Sequence, residues 1–372
     1  MTMGRTAANV GDPVAAIDTP ALVIDLDAME RNLATMAGFA RAQRIALRPH
    51  AKMHKCAAIA RLQMQAGAVG VCVQKLGEAE ALAAAGVPDI YISNEIVDAA
   101  KLARLATLAG RVKLAVAVDS ALGVERLAQA LIAAGSSVDV YVEIDVGQGR
   151  CGVAPAAAGA LAHQVVAHGL RFAGLQAYHG RAQHLREPSE RERAIAHAQR
   201  IVTECVAALA ADGVAIARIT GAGTGTYPLE AASGIWNELQ PGSYIFMDAD
   251  YGRNRLETSA LRFRQSLYVL STVISVAGGR LIVDAGLKAY AVDSGLPQVP
   301  DAPGWLFAKA SDEHGVLTPA SSAPPLPIAV GLKLKLIPGH CDPTVNLHDW
   351  FIGVRGGVVE TLWPITARGA IF

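Results

Sequence analysis

The stretch KLAVAVDSALGVERLAQALIAAGSSVDVYVEID, residues 113–145, decides the fold. It opens on a short apolar run without alternation, so that strand is buried on both faces. ALGVERLAQALIAAG (121–135) then carries apolar residues at helical spacing and ends on Gly135, which takes a left-handed cap without strain. VDVYVEID (138–145) repeats the apolar run. Two doubly buried strands joined by a helix make a parallel β-α-β unit.

The same texture runs outward from residue 19 to about 250. ALVID (21–25), IALRPH (45–50), VGVCVQ (69–74), DIYISN (89–94), RFAGLQAY (171–178), AIARIT (215–220) and SYIFMD (243–248) are the other candidate strands, with alanine-rich helical segments between them. Repeated units of this kind over such a length predict a (β/α)₈ TIM-like barrel, an α/β fold, ahead of an open doubly wound sheet. Nine candidates are one too many; either ALVID or SYIFMD belongs to a second domain, and ALVID, which precedes the regular alternation, is the one assigned there. Beyond residue 250 the chain turns rich in Val, Ile and Thr with Ala-Gly-Gly and Arg-Gly-Gly turns, which predicts a mostly β domain. The expected organisation is a barrel over 26–250 and a β domain made of 1–25 and 251–372. SSAPPLP (321–327) reads as a loop.

Composition narrows the function. The 33 basic and 33 acidic residues balance, which speaks against a nucleic-acid partner. No segment approaches a membrane span. Cys56, Cys72, Cys151, Cys205 and Cys341 are odd in number and scattered, so neither a disulfide framework nor a zinc knuckle is predicted. A reduced, cytoplasmic protein is the expectation.

Reactive residues in such a barrel stand where strands end. LRPHAKMHK (47–55), DVGQGR (145–150), YHG (178–180) and TGAGTGT (220–226) all fall at such places. Lys52 follows the second strand, and Lys55 is expected inside the next helix. Positive neighbours lower a lysine's pKa and expose a neutral amine; Arg48, His50 and His54 are expected to do so for Lys52, although most lysines on loops are simply solvated. TGAGTGT offers backbone N–H groups suited to a phosphate, or forms a plain glycine turn. In PGHCDPT (338–344) an extended backbone would point His340 and Asp342 the same way and Cys341 elsewhere, a pair suited to Mn²⁺ or Mg²⁺ with waters completing the shell. The alternative there is a turn capped by Asp342 ahead of Pro343.

Together, TPALVIDLDAMERN, LRPHAKMHK, VCVQKLGEAEAL, GQGRCGV, GLQAYHG, GAGTGT, LQPGSYIFMDADYG, VDAGLK, DEHG and PGHCDPT resemble the D-threonine aldolase and D-serine dehydratase-like family, from about residue 18 to the C-terminus. The family comprises pyridoxal 5'-phosphate enzymes of the alanine racemase fold, fold type III. The resemblance implies a homodimer acting on a small D-β-hydroxy-α-amino acid with a divalent metal, Mn²⁺ first. It implies that Lys52 forms the internal Schiff base, that Arg150 faces the pyridine nitrogen and that Tyr178 lines the cofactor. Gly223, Thr224 and Gly225, with Ser243 and Tyr244, would bind the phosphate. His340 and Asp342 would be the metal ligands, and His184 would stand near the substrate hydroxyl, where either it or a metal-bound water would be the base. Within the family, aldolases show His-x-Asp and dehydratases His-x-Cys. The sequence His340-Cys341-Asp342 therefore implies a D-threonine aldolase activity, glycine plus an aldehyde, before a β-hydroxyaspartate aldolase or a D-serine or D-threo-3-hydroxyaspartate dehydratase. An alanine racemase fits less well because the C-terminal half shows no recognisable racemase tyrosine motif, and a non-catalytic cofactor carrier because of the second domain with PGHCDPT. Where relatives often read Gly-Gly-Gly, this chain has Gly221-Ala222-Gly223, and an alanine at 222 predicts an ordinary negative φ.

Overall fold

The computed structural model describes residues 5–257, 260–321 and 327–372. Residues 322–326 of the expected loop at 321–327 lie outside that range. Sixteen strands are described: β1 (Ala21–Asp25), β2 (Ala46–Leu47), β3 (Val71–Val73), β4 (Asp89–Glu95), β5 (Lys113–Val118), β6 (Asp139–Glu143), β7 (Arg171–Ala177), β8 (Arg218–Gly221), β9 (Glu238–Leu239), β10 (Leu267–Ala277), β11 (Arg280–Val283), β12 (Trp305–Ala310), β13 (Gly315–Pro319), β14 (Lys333–Leu336), β15 (Trp350–Arg355) and β16 (Val358–Pro364).

Strands β2 to β9 form one parallel sheet in the order β2-β9-β8-β7-β6-β5-β4-β3. A bridge between His50 and Cys72 joins its two ends, with Ala51 N–H donating to Cys72 O at 2.7 Å and Cys72 N–H to Pro49 O at 2.8 Å. The sheet is therefore closed into a barrel. Helix Ala121–Ala134 links β5 to β6 and stops at Gly135, φ 62°, as its sequence requires. Outside the barrel, strand faces such as Ile90, Val116 and Val140 pack on helix residues such as Leu105, Leu127 and Leu161. The inner face is small or polar. Cys72, Tyr91, Ala115, Ala117 and Tyr141 cluster there, and Tyr91 donates to Gln176 Oε1 at 3.0 Å.

Two strand expectations fail. SYIFMD is not a strand: Ser243–Ile245 is a 3₁₀ turn, Met247 has φ 55°, and Ile245 and Phe246 are buried. The eighth barrel strand is the two-residue β9, which has no apolar run to announce it. Its Glu238 is apart from solvent because it takes Arg48 Nε at 3.2 Å and the Thr220 hydroxyl at 2.9 Å. IALRPH likewise contributes only Ala46 and Leu47 to a strand.

The second sheet has the order β12-β13-β11-β10-β1-β15-β16, with β14 also on β10. ALVID is its β1, antiparallel to β10 and parallel to β15. From there Asp25 caps helix Leu26–Gln43 by accepting from Ala28 N–H at 3.0 Å. One apolar core containing Leu47, Met53 and Leu239 from the barrel side and Leu267, Leu336 and Phe351 from the second sheet joins the two halves. That shared core brings the turn after β14 up to the barrel mouth. Among the described residues, no helix is long and apolar enough to cross a membrane.

Candidate active site

Strand ends of the barrel and the turn after β14 enclose a cavity of about 340 Å³. Lys52, Arg150, Tyr178, His184, Gly223, Thr224, Ser243, His340 and Asp342 all line it. The volume lies within the ordinary range for small-molecule sites.

Lys52 sits in a turn over 51–54 between β2 and helix Ala57–Gln65. Its N–H donates to His50 Nδ1 at 3.3 Å, and the turn closes through Lys55 N–H to Ala51 O at 2.7 Å. Lys55 is not in the helix. It takes φ 51° just before it and is buried against Glu78, Nζ to Oε1 3.1 Å. The expected depression of the Lys52 pKa is reversed. Asp342 Oδ2 lies 3.2 Å from its Nζ and raises that pKa. None of the three supposed depressors sets a positive charge beside that amine. Arg48 points to Asp89 and Glu238 at the opposite end of the barrel. Burial holds both histidines neutral: His50 falls well below the usual range and His54 to about 4.

Arg150 stands beside Glu143, Nη2 to Oε1 3.7 Å, with its guanidinium carbon 6.0 Å from the Tyr178 ring centre. Burial and then the neighbouring Glu95 push the Glu143 carboxyl well above the usual carboxylate range. His184 is held by a residue that sequence reasoning had not singled out. Its Nδ1 lies 2.5 Å from Asp250 Oδ2, which leaves Nε2 for a ligand. Asp250 also binds Arg186 and Arg253 at 2.5 Å each. Burial alone would raise the Asp250 pKa; these cations outweigh it and lower it. The signal for Asp250 was in FMDADYG, yet only pairing in space distinguishes it from Asp248.

His340 and Asp342 do converge, though not along a strand. Cys341–Val345 is a short helix with His340 at its N-cap position, and His340 Nε2 lies 3.8 Å from Asp342 Oδ1. Cys341 is buried, its N–H on Asp248 Oδ2 at 3.0 Å. Asp293, also unforeseen, meets His340 Nδ1 at 2.7 Å. Burial would lower the His340 pKa, but Asp342, Asp293 and Asp248 raise it instead. Asp342 Oδ1 is buried and has no hydrogen-bond partner among the described residues. An orphaned carboxylate oxygen facing an imidazole nitrogen fits a divalent cation.

Of the glycine loop, Gly223 and Thr224 line the cavity, and close packing on Gln183 shapes the loop. A Cβ at Gly223 would come within 2.5 Å of Gln183 Oε1, and one at Gly225 within 2.5 Å of the Gln183 carbonyl. Only glycine lets the backbone lie this close, and Thr224 Oγ1 fixes the 3₁₀ turn Ser243–Ile245 by accepting Tyr244 N–H at 3.0 Å. Ala222 is at φ 64°, not the ordinary negative value expected; the bonds from Gln240 N–H to Gly221 O and from Tyr227 N–H to Gly223 O hold it there. Gly225 and the Tyr244 side chain do not line the cavity. Tyr244 is turned into the core, its hydroxyl accepting from Gln63 Nε2 at 3.2 Å.

Residues 24–250 match the family model for the alanine racemase N-terminal domain, and residues 266–354 that for a putative serine dehydratase domain. The chain is 49% identical to a D-threonine aldolase of Arthrobacter sp., over 97% of this chain and 96% of the other. It is 44% identical to a 3-hydroxy-D-aspartate aldolase of Paracoccus denitrificans, over 95% and 92%. The crystal structure of D-threonine aldolase from Filomicrobium marinum superposes with a TM-score of 0.96 at 48% identity, covering 99% of this chain and all of that one.

Proposed function

Because the chain belongs to the D-threonine aldolase branch of the alanine racemase-fold, serine dehydratase-domain family, we propose that it is a pyridoxal-phosphate- and metal-dependent D-threonine aldolase. It cleaves D-configured β-hydroxy-α-amino acids to glycine and an aldehyde, with D-threonine giving acetaldehyde. The observation that carries the reading is that one cavity holds a lysine amine, a His–Asp pair with an orphaned oxygen and an imidazole braced by a buried carboxylate.

In this reading Lys52 holds the cofactor and exchanges it for the substrate's amine. Gly223, Thr224 and Ser243, which line the cavity, hold the phosphate, with Gly225 and the Tyr244 backbone behind them; Tyr178 lines the ring and Arg150 faces it. Pyridoxal phosphate, when bound, supplies the electron sink for the carbon freed as Cα–Cβ breaks. His340 and Asp342 are the metal ligands, Mn²⁺ being the preferred ion, and a divalent cation there supplies Lewis-acid polarisation of the β-hydroxyl. Asp293 orients the His340 ring through Nδ1 and so presents Nε2. His184 takes the β-hydroxyl proton on Nε2, and Asp250 stabilises the imidazolium through Nδ1. Arg181 stands at the cavity wall, where it can meet the substrate carboxylate. In this reading the enzyme works as a homodimer in the reduced cytoplasm, a compartment in keeping with its five free cysteines.

The test is product analysis on a panel of D-β-hydroxy amino acids with and without Mn²⁺. Glycine and acetaldehyde from D-threonine, lost on chelation, are the expected outcome. Ammonia with a 2-oxo acid would make it a dehydratase, and glycine with glyoxylate, from β-hydroxyaspartate only, the specialised aldolase.

A further inference from the structure

Three neighbouring barrel strands end in a group of ligand-type side chains that the aldolase chemistry does not use. Glu95 closes β4, Asp119 follows β5, and Cys151 follows Arg150 in the loop after β6. One ligand atom from each lies within 4.8 Å of the others. Asp119 Oδ2 accepts Gly152 N–H at 3.2 Å, which ties the Cys151 loop down beside it.

An acidic group of this kind commonly stands empty, so a second observation has to decide. It comes from Glu143, at the end of β6 and outside that trio. Glu143 is 4% exposed, its side chain meets that of Glu95, and its Oε2 has no hydrogen-bond partner among the described residues. Both carboxylate oxygens of Glu95 are also buried without an N–H or cationic donor among the described residues, their neighbours being the Glu143 carboxyl and the Cys151 thiol. Three such carboxylate oxygens thus sit on two side chains that meet, and the cation beside them, Arg150, reaches only Glu143 Oε1, at 3.7 Å. Leaving such oxygens buried and unpaired is costly unless a positive centre sits among them.

We propose that Glu95, Asp119, Glu143 and Cys151 form a second cation site at the rim of β4, β5 and β6, distinct from the His340–Asp342 pair and selective for a Zn²⁺-like ion. Carboxylate oxygens alone would favour Mg²⁺ or Mn²⁺; one sulfur ligand shifts the preference to the borderline-soft ion, which takes four ligands of mixed O and S type. As the zinc–sulfur bond forms, the Cys151 thiol proton leaves to solvent. The ion neutralises the acidic strand ends next to Arg150 and ties the loop that carries it to β4 and β5.

The experiment uses the cofactor-loaded full chain carrying Asp342→Ala, which breaks the other pair. After chelation the protein is equilibrated with Zn²⁺ and gel-filtered, then zinc is counted by mass spectrometry and its shell read by X-ray absorption. The expected result is about one zinc per chain with one sulfur at about 2.3 Å. Adding Cys151→Ser should remove the sulfur, and adding Glu95→Gln instead should weaken binding at least tenfold, with circular dichroism and cofactor absorbance kept. Should the serine variant fail to fold, the Glu95→Gln comparison decides alone. Zinc lost on filtration, a shell of nitrogen and oxygen only, or sulfur persisting without Cys151 would overturn the site and leave a proton shared between Glu95 and Glu143.

Discussion

Replacing Asp250 by asparagine tests whether His184 acts as a braced base. Asp250 is 5% exposed and lies 2.5 Å from His184 Nδ1. Asparagine keeps the shape and removes the charge that stabilises the protonated ring. A hydrogen bond to a charged partner is worth about 1.5–3 kcal/mol, and each 1.36 kcal/mol is about tenfold in rate. The expected fall in kcat for D-threonine cleavage is therefore roughly 10- to 150-fold, with KM little changed. Stability should fall as well, because Asp250 also gathers Arg186 and Arg253. Those arginine side chains are 35% and 43% exposed, so water screens them. The loss should be about 1–2 kcal/mol, below the 3–5 kcal/mol of a fully buried pair. The assay follows aldehyde release at saturating cofactor and Mn²⁺, beside a urea titration and the cofactor absorbance. A folded, cofactor-loaded Asp250→Asn enzyme with kcat within twofold of the parent would refute the role given to His184 and Asp250 together.

Lys52→Ala should give a colourless protein that releases no cofactor on denaturation and cleaves no D-threonine; normal turnover would end the proposal. Ala222→Gly should stabilise the chain. An L-residue at φ 64° costs about 1–2 kcal/mol, of which glycine's unfolded-state entropy returns about 0.4–1 kcal/mol, so a rise of about 0.5–1 kcal/mol in urea stability is expected. A loss of stability would contradict the strain. His54 should make the fold acid-sensitive. Its pKa is lowered from 6.5 to about 4, so the folded state prefers the neutral ring that accepts Cys56 N–H at 3.1 Å. That stabilisation is intact above pH 6.5 and is lost as pH falls toward 4, by roughly 3 kcal/mol at 1.36 kcal/mol per unit. Urea midpoints across that window should fall less steeply in His54→Leu, and parallel slopes would discard the assignment.

The doubly apolar strands and glycine-stopped helices are local patterns, because burial on both faces needs only a run of residues and a cap needs only one position. The sequence by itself therefore determined the parallel barrel, the β-rich second half and the strand-end positions of Lys52, Tyr178 and the 223–225 loop. A two-residue strand such as Glu238–Leu239 carries no such pattern, since its place depends on Arg48 and Thr220, 190 and 18 residues away. SYIFMD misled for the opposite reason: its apolar side chains are buried by a turn packed under another sheet.

Tertiary structure alone decided the electrostatics. Arg48, His50 and His54 crowd Lys52 in sequence, yet the field at its amine comes from Asp342, 290 positions on. Asp250 and Asp293 became visible only when folding set them against His184 and His340. Charge interactions fall off with distance through space, not along the chain; hence a sequence shows which groups are present, and the fold determines which of them feel one another.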